Sequence, residues 1–492
     1  MTRCPAYTGK FRVAPIVRIE AITTERRAAS TVVCARVIPQ TAGLDPFLLF
    51  FEFGTTAPVT PSAEGFAAAL LLPAMALGEN LEFDTPLDRR FLESVPCVVR
   101  LYRQWLPRLG EVQVVAPVAV DVQPPSAVGL FFSAGLDSCY SLLRLREEVT
   151  HLIFVAEWDA ANPDEPWGAP NRRRAIAEIS GRFGKQLIPV RTNLTRFTKP
   201  LAEWTLHHGG ALAGAGLLCG GQFRRLYIFS TFDEAAMTAL GTHPDLDPLW
   251  SKSSTVFVHF GDGLNRVGKA RAVAPDAELT ARLFLCFIEP DSNCGWCEKC
   301  VRGMLELLLG GAKDLSRTFP SADTSEQGIL ELLRTLPTIG GVGPFEAQFL
   351  YVLQGLKESG RFPALARAVE ELVAASRAKK AARLPIGSVD APASGSTAGP
   401  WVTVAGWAYS EDGILRVEFF CDGKYAGWIR PHALRLDVDE AFGLNCAGMP
   451  KGWLLDVSLE FQPPGWHELV VNVITRKGAV RQIGSLALLR QA

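Results

Sequence analysis

Charge of one sign is what this 492-residue chain lacks most plainly, since 50 Lys and Arg stand against 51 Asp and Glu for a formal charge of -1. Without a basic excess there is no global footprint for a phosphate backbone, so nucleic acid is not an expected partner. Long apolar runs are missing too. The stretches "LDPFLLFFEF" and "GFAAALLLPAMALG" fall short of the ~20 residues that a membrane-spanning helix needs. The opening "MTRCPAYTGKFRVAPIVRIEAI" has no continuous apolar core of the secretory kind. A cytoplasmic protein without a membrane span is expected. With 48% hydrophobic and 21% charged residues, the chain also lacks the composition of a disordered protein. Several folded domains follow, about three at ~150 residues each.

What is present changes character along the chain. Residues 1–122 mix strand-like "STVVCARVI" and "FLLFFEF" with helix-like "SAEGFAAALLLPAMALG", and read as an α+β domain without chemistry of its own. After the prolines Pro124 and Pro125 the rhythm becomes strand and helix in alternation. "AVGLFF", "HLIFVAEW", "KQLIPVRTN" and "RRLYIFST" are apolar strands separated by helical stretches, the pattern of an α/β domain with a parallel sheet over 123–320. Residues 321–384 read as helices, and "PIGSVDAPASGSTAGP", 385–400, as a flexible linker by its small residues. Residues 401–492 alternate like strands, with Asp422 and Gly423 placed for a hairpin turn, and read as a β-sandwich.

The first strand of the alternating region runs into "SAGLDS", Ser133, Ala134, Gly135, Leu136, Asp137 and Ser138, and a helix begins there. A loop at the carboxyl end of a parallel strand, leading into a helix, offers unpaired amides and a positive dipole end to a phosphate. Gly135 permits close approach, the serines offer hydroxyls, and Asp137 either starts the helix or helps hold Mg²⁺. An ordinary β–α turn uses the same residue types. No Gly-Lys-Ser/Thr follows, so γ-phosphate transfer is not indicated.

The hexapeptide resembles the Ser-Gly-Gly-x-Asp-Ser signature of the PP-loop ATP pyrophosphatase superfamily, with Ala134 where the signature has another glycine before Gly135. The resemblance implies an adenine nucleotide α-hydrolase-like fold, ATP and Mg²⁺ as ligands, and cleavage of ATP to AMP and PPi with adenylation of a small-molecule acceptor.

The second signal is "LCFIEPDSNCGWCEKCVRGMLELLL". Cys286, Cys294, Cys297 and Cys300 give C-x7-C-x2-C-x2-C, with Gly295 allowing a tight turn, and four thiolates suit a closed tetrahedral Zn²⁺ site. An iron–sulfur cluster is the competing reading. Lys299 and Arg302 would offset the thiolate charge. The other cysteines are scattered and read as small buried hydrophobes. The loop and the cysteines together are similar to 7-cyano-7-deazaguanine synthases, over about Ser126 to Leu309, although "EWDAANPDEPWGAPNRRR" departs from that family.

Weaker candidates share the domain. His243, Asp245 and Asp247, in "GTHPDLDPLWSKSS", are placed to orient a substrate or hold Mg²⁺, and Lys252 or Lys269 to neutralise phosphate. Asp137, His243, Asp247 and Lys269 are the expected catalytic set. His207 and His208 read as packing residues, and Arg172, Arg173 and Arg174 as a solvated helix face or a lid with Trp158 and Trp167. Trp401, Trp407 and Trp428 read as core aromatics of the last domain, which is also the expected place for a carbohydrate or protein contact. A homodimer is a further expectation.

Overall fold

The computed structural model describes residues 15–54, 59, 62–107, 109–119, 126–161, 167–219, 221–286, 288–336, 344–442, 449–460 and 462–491. They fall into two compact units, 1–373 and 374–492.

In the first unit the strands are β1 (Ile16–Arg26), β2 (Thr31–Ile38), β3 (Phe47–Phe53), β4 (Asn80–Phe83), β5 (Leu87–Asp88), β6 (Val114–Val115), β7 (Val118–Ala119), β8 (Ala127–Phe131), β9 (His151–Glu157), β10 (Gln186–Thr192), β11 (Phe223–Phe229) and β12 (Val256–Phe260). The helices are α1 (Glu64–Leu77), α2 (Arg89–Trp105), α3 (Leu136–Leu145), α4 (Pro170–Arg182), α5 (Leu194–Thr198), α6 (Trp204–Leu218), α7 (Arg266–Val273), α8 (Ala277–Thr280) and α9 (Glu298–Leu309), then α10 (Glu326–Thr335), α11 (Pro344–Ser359) and α12 (Pro363–Arg383).

Ten strands form one sheet in the order β12-β11-β8-β9-β10-β3-β2-β1-β4-β6. The pairings from β12 to β10 are all parallel, as the apolar strands alternating with helices led one to expect. Numbered within this half, the strand order is 3-2-1-4-5, the doubly wound pattern that leaves a crevice where the order reverses. The reversal lies at β8, between β9 and β11.

The sheet does not stop where the sequence changes rhythm. The boundary expected at Val122 lies outside the described residues, but β3 pairs antiparallel with β10, so residues 16–53 extend the parallel half instead of forming a separate sheet. Across this seam Glu52 stands opposite Arg191, and their side chains meet at 2.6 Å while only 4% and 3% exposed. Ser30 Oγ donates to the other Glu52 oxygen at 2.6 Å, and Arg191 lies over the Trp167 ring.

Both sheet faces are covered, which is why the strands read as apolar runs rather than as alternation. On one face α1 packs against α6, and the glycines of these helices are required by contact. A Cβ on Gly65 would stand 2.4 Å from Leu218 Cγ, and one on Gly210 would stand 2.7 Å from the Ala68 carbonyl. His207 takes part in this packing through Nε2 and the Ala69 carbonyl at 2.7 Å, and burial pushes its pKa down to about 4. On the other face α3, α7 and α9 share a core with α11 and α12.

The second unit has two sheets, one of Ile386–Ala391, Trp401–Tyr409 and Gly452–Ser458, the other of Ser396–Ala398, Val480–Arg490, Gly465–Thr475, Ile414–Cys421 and Lys424–Ile429. Val404, Val457, Phe419 and Val471 bring both into one core. Asp422 and Gly423, at φ 48° and 73°, make the hairpin turn with both central residues left-handed.

Two expectations are corrected here. Residues 385–400 are not a flexible linker, since 386–391 and 396–398 are paired strands. Gly387 is required by close packing, because a Cβ there would stand 2.5 Å from the Trp407 carbonyl. Trp407 is buried, but Trp401 and Trp428 are 58% and 49% exposed and do not belong to the core. Among the described residues no helix is long and apolar enough to cross a membrane.

The seam carries the first prediction. Glu52→Ala strips the carboxylate from a buried guanidinium and should lower the unfolding free energy by about 3–5 kcal/mol, whereas Glu52→Met with Arg191→Met should recover most of it. Denaturant unfolding of the three proteins measures both, and a loss below about 1 kcal/mol in Glu52→Ala would remove the pair from the account of the seam.

Candidate functional site

The loop after β8 opens at the switch point. Gly135 is the N-cap of α3, with extended φ −79° and ψ 167°. The first intrahelical bond runs from Cys139 N to the Gly135 carbonyl at 3.0 Å, so the amides of Leu136, Asp137 and Ser138 precede it. Ser133 and Ser138 fold the loop onto itself: Ser138 Oγ donates to the Gly135 carbonyl at 3.0 Å, and the two hydroxyls are 3.3 Å apart.

Ala134 is fully buried and sits at φ 55°, in the left-handed region that an L side chain adopts at a cost of roughly 1–2 kcal/mol. This is the position where the resembled signature has glycine. Its carbonyl accepts from Phe284 N–H at 2.8 Å.

Asp137 is buried in the first turn, and it is neither cap nor free ligand. One oxygen takes an ion pair with Arg266 and the other stands 3.2 Å from Lys269 Nζ. Burial alone would raise its pKa, but Arg266 and Lys269 outweigh it and hold the carboxyl below the usual 3.8. Each carboxylate oxygen thus carries one cationic partner. Arg266 is held from behind by Glu306, at 2.9 and 3.1 Å from Nε and 3.0 Å from Nη2. Lys269 also donates to the carbonyl of Ser230, just past β11, so one lysine bridges the two strands that flank the crevice.

More cations gather here than the sequence led one to expect. Arg172 is no solvated face: it donates to the Ser133 carbonyl from Nη2 at 2.9 Å and Nε at 3.2 Å, and lies against the rings of Phe154 and Phe284. Lys299 is pushed down to about 8 by burial and then by Arg266 and Arg302. Arg302 pairs with Glu298 at 3.1 Å. Arg172, Arg266, Lys269 and Lys299 thus gather near the loop, with Asp137, Glu306 and Asp291 as counter-charges.

The other expected residues lie elsewhere. Asp247 is fully buried, and its ring partner is His259 on β12, at 2.7 Å from Nδ1, rather than His243. His243 meets Asp247 through its backbone, its N–H donating to the carboxylate at 3.4 Å and its carbonyl accepting the Asp247 N–H at 2.9 Å, while its Nδ1 accepts from Asp245 N–H at 3.1 Å. Leu246 and Trp250 belong to the core that contains α1 and α6, Val267 and Ala270 to the opposite one. The structure therefore brings Asp137 and Lys269 together and places His243 and Asp247 with the other face. Lys252 is buried in a turn with Thr255.

Reading the chain alone missed Arg266, Glu306 and His259. The usable signal was position: Arg266 and Lys269 are three apart on the helix that follows a strand's carboxyl end, where a ligand-facing pair belongs.

The four cysteines converge. Their sulfurs lie within 4.8 Å of one another, with Cys286 and Cys297 at 3.8 Å and Cys294 and Cys300 at 3.9 Å. A tetrahedral ion with metal–sulfur bonds of about 2.3 Å has sulfur–sulfur edges of about 3.8 Å, so the set can hold one metal ion such as zinc. The ligands of a multi-iron cluster bind different irons and spread wider. Gly295, at φ 83°, makes the turn, and Cys297 is the N-cap of α9. The amides of Ile288 and Glu289 donate to Cys286 Sγ at 3.2 Å each, stabilising a thiolate. Burial raises the Cys294 thiol to about 11, and hydrogen bonding to Cys297 raises Cys300, a mutual penalty that a cation reverses. Of the scattered cysteines, Cys139, Cys219 and Cys421 are buried, Cys34 and Cys97 are half-buried, and Cys4 and Cys446 lie outside the described residues.

Comparison with known proteins adds no family. No family model matches the chain, and no curated protein matches it. Among solved structures, the fibronectin(III)-like modules of Clostridium thermocellum CbhA match at 21% identity and TM-score 0.16, over 22% of this chain and 47% of that one. A Jonesia denitrificans lytic polysaccharide monooxygenase matches at 8% identity and TM-score 0.14, over 21% and 60%. The endo-beta-1,4-mannanase of Thermotoga petrophila matches at 10% identity and TM-score 0.17, over 86% and 94%. The chain thus spans less than two thirds of the first two, and at these TM-scores none of the three bears on fold or function.

Two predictions follow from the loop. Ala134→Gly exchanges left-handed strain for a lost buried methyl and added backbone freedom, so its stability should lie within about 1 kcal/mol of the parent, while Ala134→Val should lose more than about 2 kcal/mol. Equal thermal shifts for both would contradict the left-handed assignment. Because folding lowers the Asp137 pKa, its ion pairs stabilise the fold above pH 3.8 and that contribution fades as pH falls through the depressed value. Asp137→Asn should therefore be less stable than the parent at pH 7, with a gap that narrows on acidification below 3.8; a pH-independent gap across urea titrations would exclude this account.

Proposed function

We propose that the first unit is a PP-loop enzyme that cleaves ATP to AMP and PPi, adenylates a small-molecule carboxylate or amide-type acceptor, and passes the product to ammonia or a similar nucleophile. The observation that carries the reading is the loop Ser133–Ser138 at the switch point, with Arg172 on the Ser133 carbonyl and Arg266 and Lys269 on Asp137. An acceptor oxygen attacks the α-phosphorus, the bond to the bridging oxygen of the β-phosphate breaks, and pyrophosphate departs with the electron pair. The amides at the start of α3 stabilise the charge that gathers on that leaving group, and Lys269, buried between Asp137 and the Ser230 carbonyl, adds positive charge beside the first turn. The nucleophile then displaces AMP. Mg²⁺, when bound, supplies further charge neutralisation on the phosphates.

Asp137 acts as a positioning residue in this scheme: its carboxylate holds Arg266 and Lys269 at the crevice. Zinc is the ion proposed for the cysteine set, in a closed structural site, on the strength of the 3.8 and 3.9 Å sulfur spacings. Conversion of 7-carboxy-7-deazaguanine is one specific form of the reaction, carried by the sequence resemblance alone. A second reading, a nucleotide-binding protein without turnover, is favoured by Ala134 at φ 55°.

The test is release of AMP and PPi from ATP by the purified protein, with a panel of small carboxylates and ammonium. Lys269→Ala and Asp137→Ala should each lower the rate by about 10²-fold or more. ADP as the only product would refute the reading, and ATP binding without turnover would select the second one. Metal analysis should find about one zinc per chain in a colourless protein, and iron with visible absorbance would reject zinc.

A further inference from the structure

Three separate tethers run from the cysteine segment to the phosphate-type loop, and they end on Ser133, Ala134 and Asp137. The first begins at Asp291, between the ligands Cys286 and Cys294. Its Oδ1 accepts the Arg172 backbone N–H at 2.9 Å and its Oδ2 accepts Asn171 Nδ2 at 2.9 Å. Arg172, fixed in this way at the start of α4, reaches the Ser133 carbonyl with its guanidinium at 2.9 Å. The second is the 2.8 Å bond from Phe284 N–H to the Ala134 carbonyl, two residues before Cys286. The third is Glu306, on the helix capped by Cys297, which grips Arg266 and through it Asp137.

These anchors are stiffly joined to the cysteines. Asn293, next to Cys294, accepts the amides of Leu285 and Cys286 at 2.7 and 3.1 Å, and its Nδ2 donates to the carbonyls of Leu283 and Thr318 at 2.7 and 2.8 Å. The segment on either side of Cys286 is thus closed by one side chain and by whatever draws the four sulfurs together. Ala134, meanwhile, holds a backbone conformation that its side chain disfavours, so its carbonyl stays in place only while a donor holds it.

We infer that the Cys4 centre sets the conformation of the loop, with Asp291, Phe284 and Glu306 as the positioning residues that transmit metal occupancy to it. An ion among the sulfurs closes the segment 286–294 and keeps the three tethers in register. Loss of the ion removes the one link that joins the four sulfurs, loosens that segment and frees the loop. The nucleotide consequence rests on the proposed adenylating function, whereas the conformational claim does not.

The experiment is amide hydrogen exchange on the full-length protein, metal-loaded and after chelation, read at peptides covering 133–138. Chelation should speed exchange there at least tenfold while peptides from α1 keep their protection. Asp291→Ala, checked to retain its metal, should show the same change in the loop to a smaller extent, because one tether of three is cut. Unchanged loop exchange on chelation would overturn the inference. So would loosening spread evenly from β1 to α11, since the ion would then hold the whole unit and not the loop, or a metal-loaded Asp291→Ala protein with parental loop exchange. Failure of the metal-loaded protein to bind ATP in equilibrium titration would sink the adenylating function and leave this inference standing.

Discussion

A carboxylate buried at the switch point of a parallel sheet is tolerable only if cations meet it there, and the arrangement of the first unit follows from how Asp137 is met. Left alone it would be driven to its neutral form. Arg266 and Lys269 on α7 close on its two oxygens, and Glu306 on α9 neutralises the excess that Arg266 brings. Two helices that start far apart in the chain are thereby locked against α3. The loop before α3 inherits its position from the same contacts.

This network explains why the metal segment and the loop belong to one piece of machinery. The helix that carries Glu306 begins at Cys297 and Cys300, so an ion held by the four sulfurs would sit at its first turn, two turns before that side chain. The alignment of Phe284 and Asp291 with Ala134 and Arg172 repeats the connection through backbone and side chain. Buried charge networks of this kind contribute more to a single geometry than to net stability, because desolvation offsets much of the attraction.

Much of the fold was legible in the sequence because parallel strands buried on both faces appear as short apolar runs, and helices between them as amphipathic ones. The Asp422 and Gly423 turn was legible because only a left-handed pair makes it. Two readings failed because composition does not report environment: small residues signal either freedom or strand pairing, and an apolar ring either a core or an exposed face. Residues 386–391 and 396–398 are paired strands despite their small residues, with Gly387 in close contact, and Trp401 and Trp428 are apolar without being inside. At the site, Asp137 and Lys269 were identifiable, but the pairing of Asp247 with His259 in place of His243 was not, since the partner comes from a neighbouring strand.

By itself the sequence determined the alternation that builds a parallel sheet, the loop at the end of its first strand, and four cysteines spaced for one ion, because each of these is a local pattern whose physics acts over a few residues. Only the tertiary structure decided that residues 16–53 extend the same sheet, that Arg172 turns inward to Ser133, and that Glu306, Arg266 and Asp137 meet in one chain of charge. The side-chain contacts among these join residues 39 to 129 positions apart. Burial and electrostatics act through space, so they select such partners from the packed structure and leave no spacing in the chain to read.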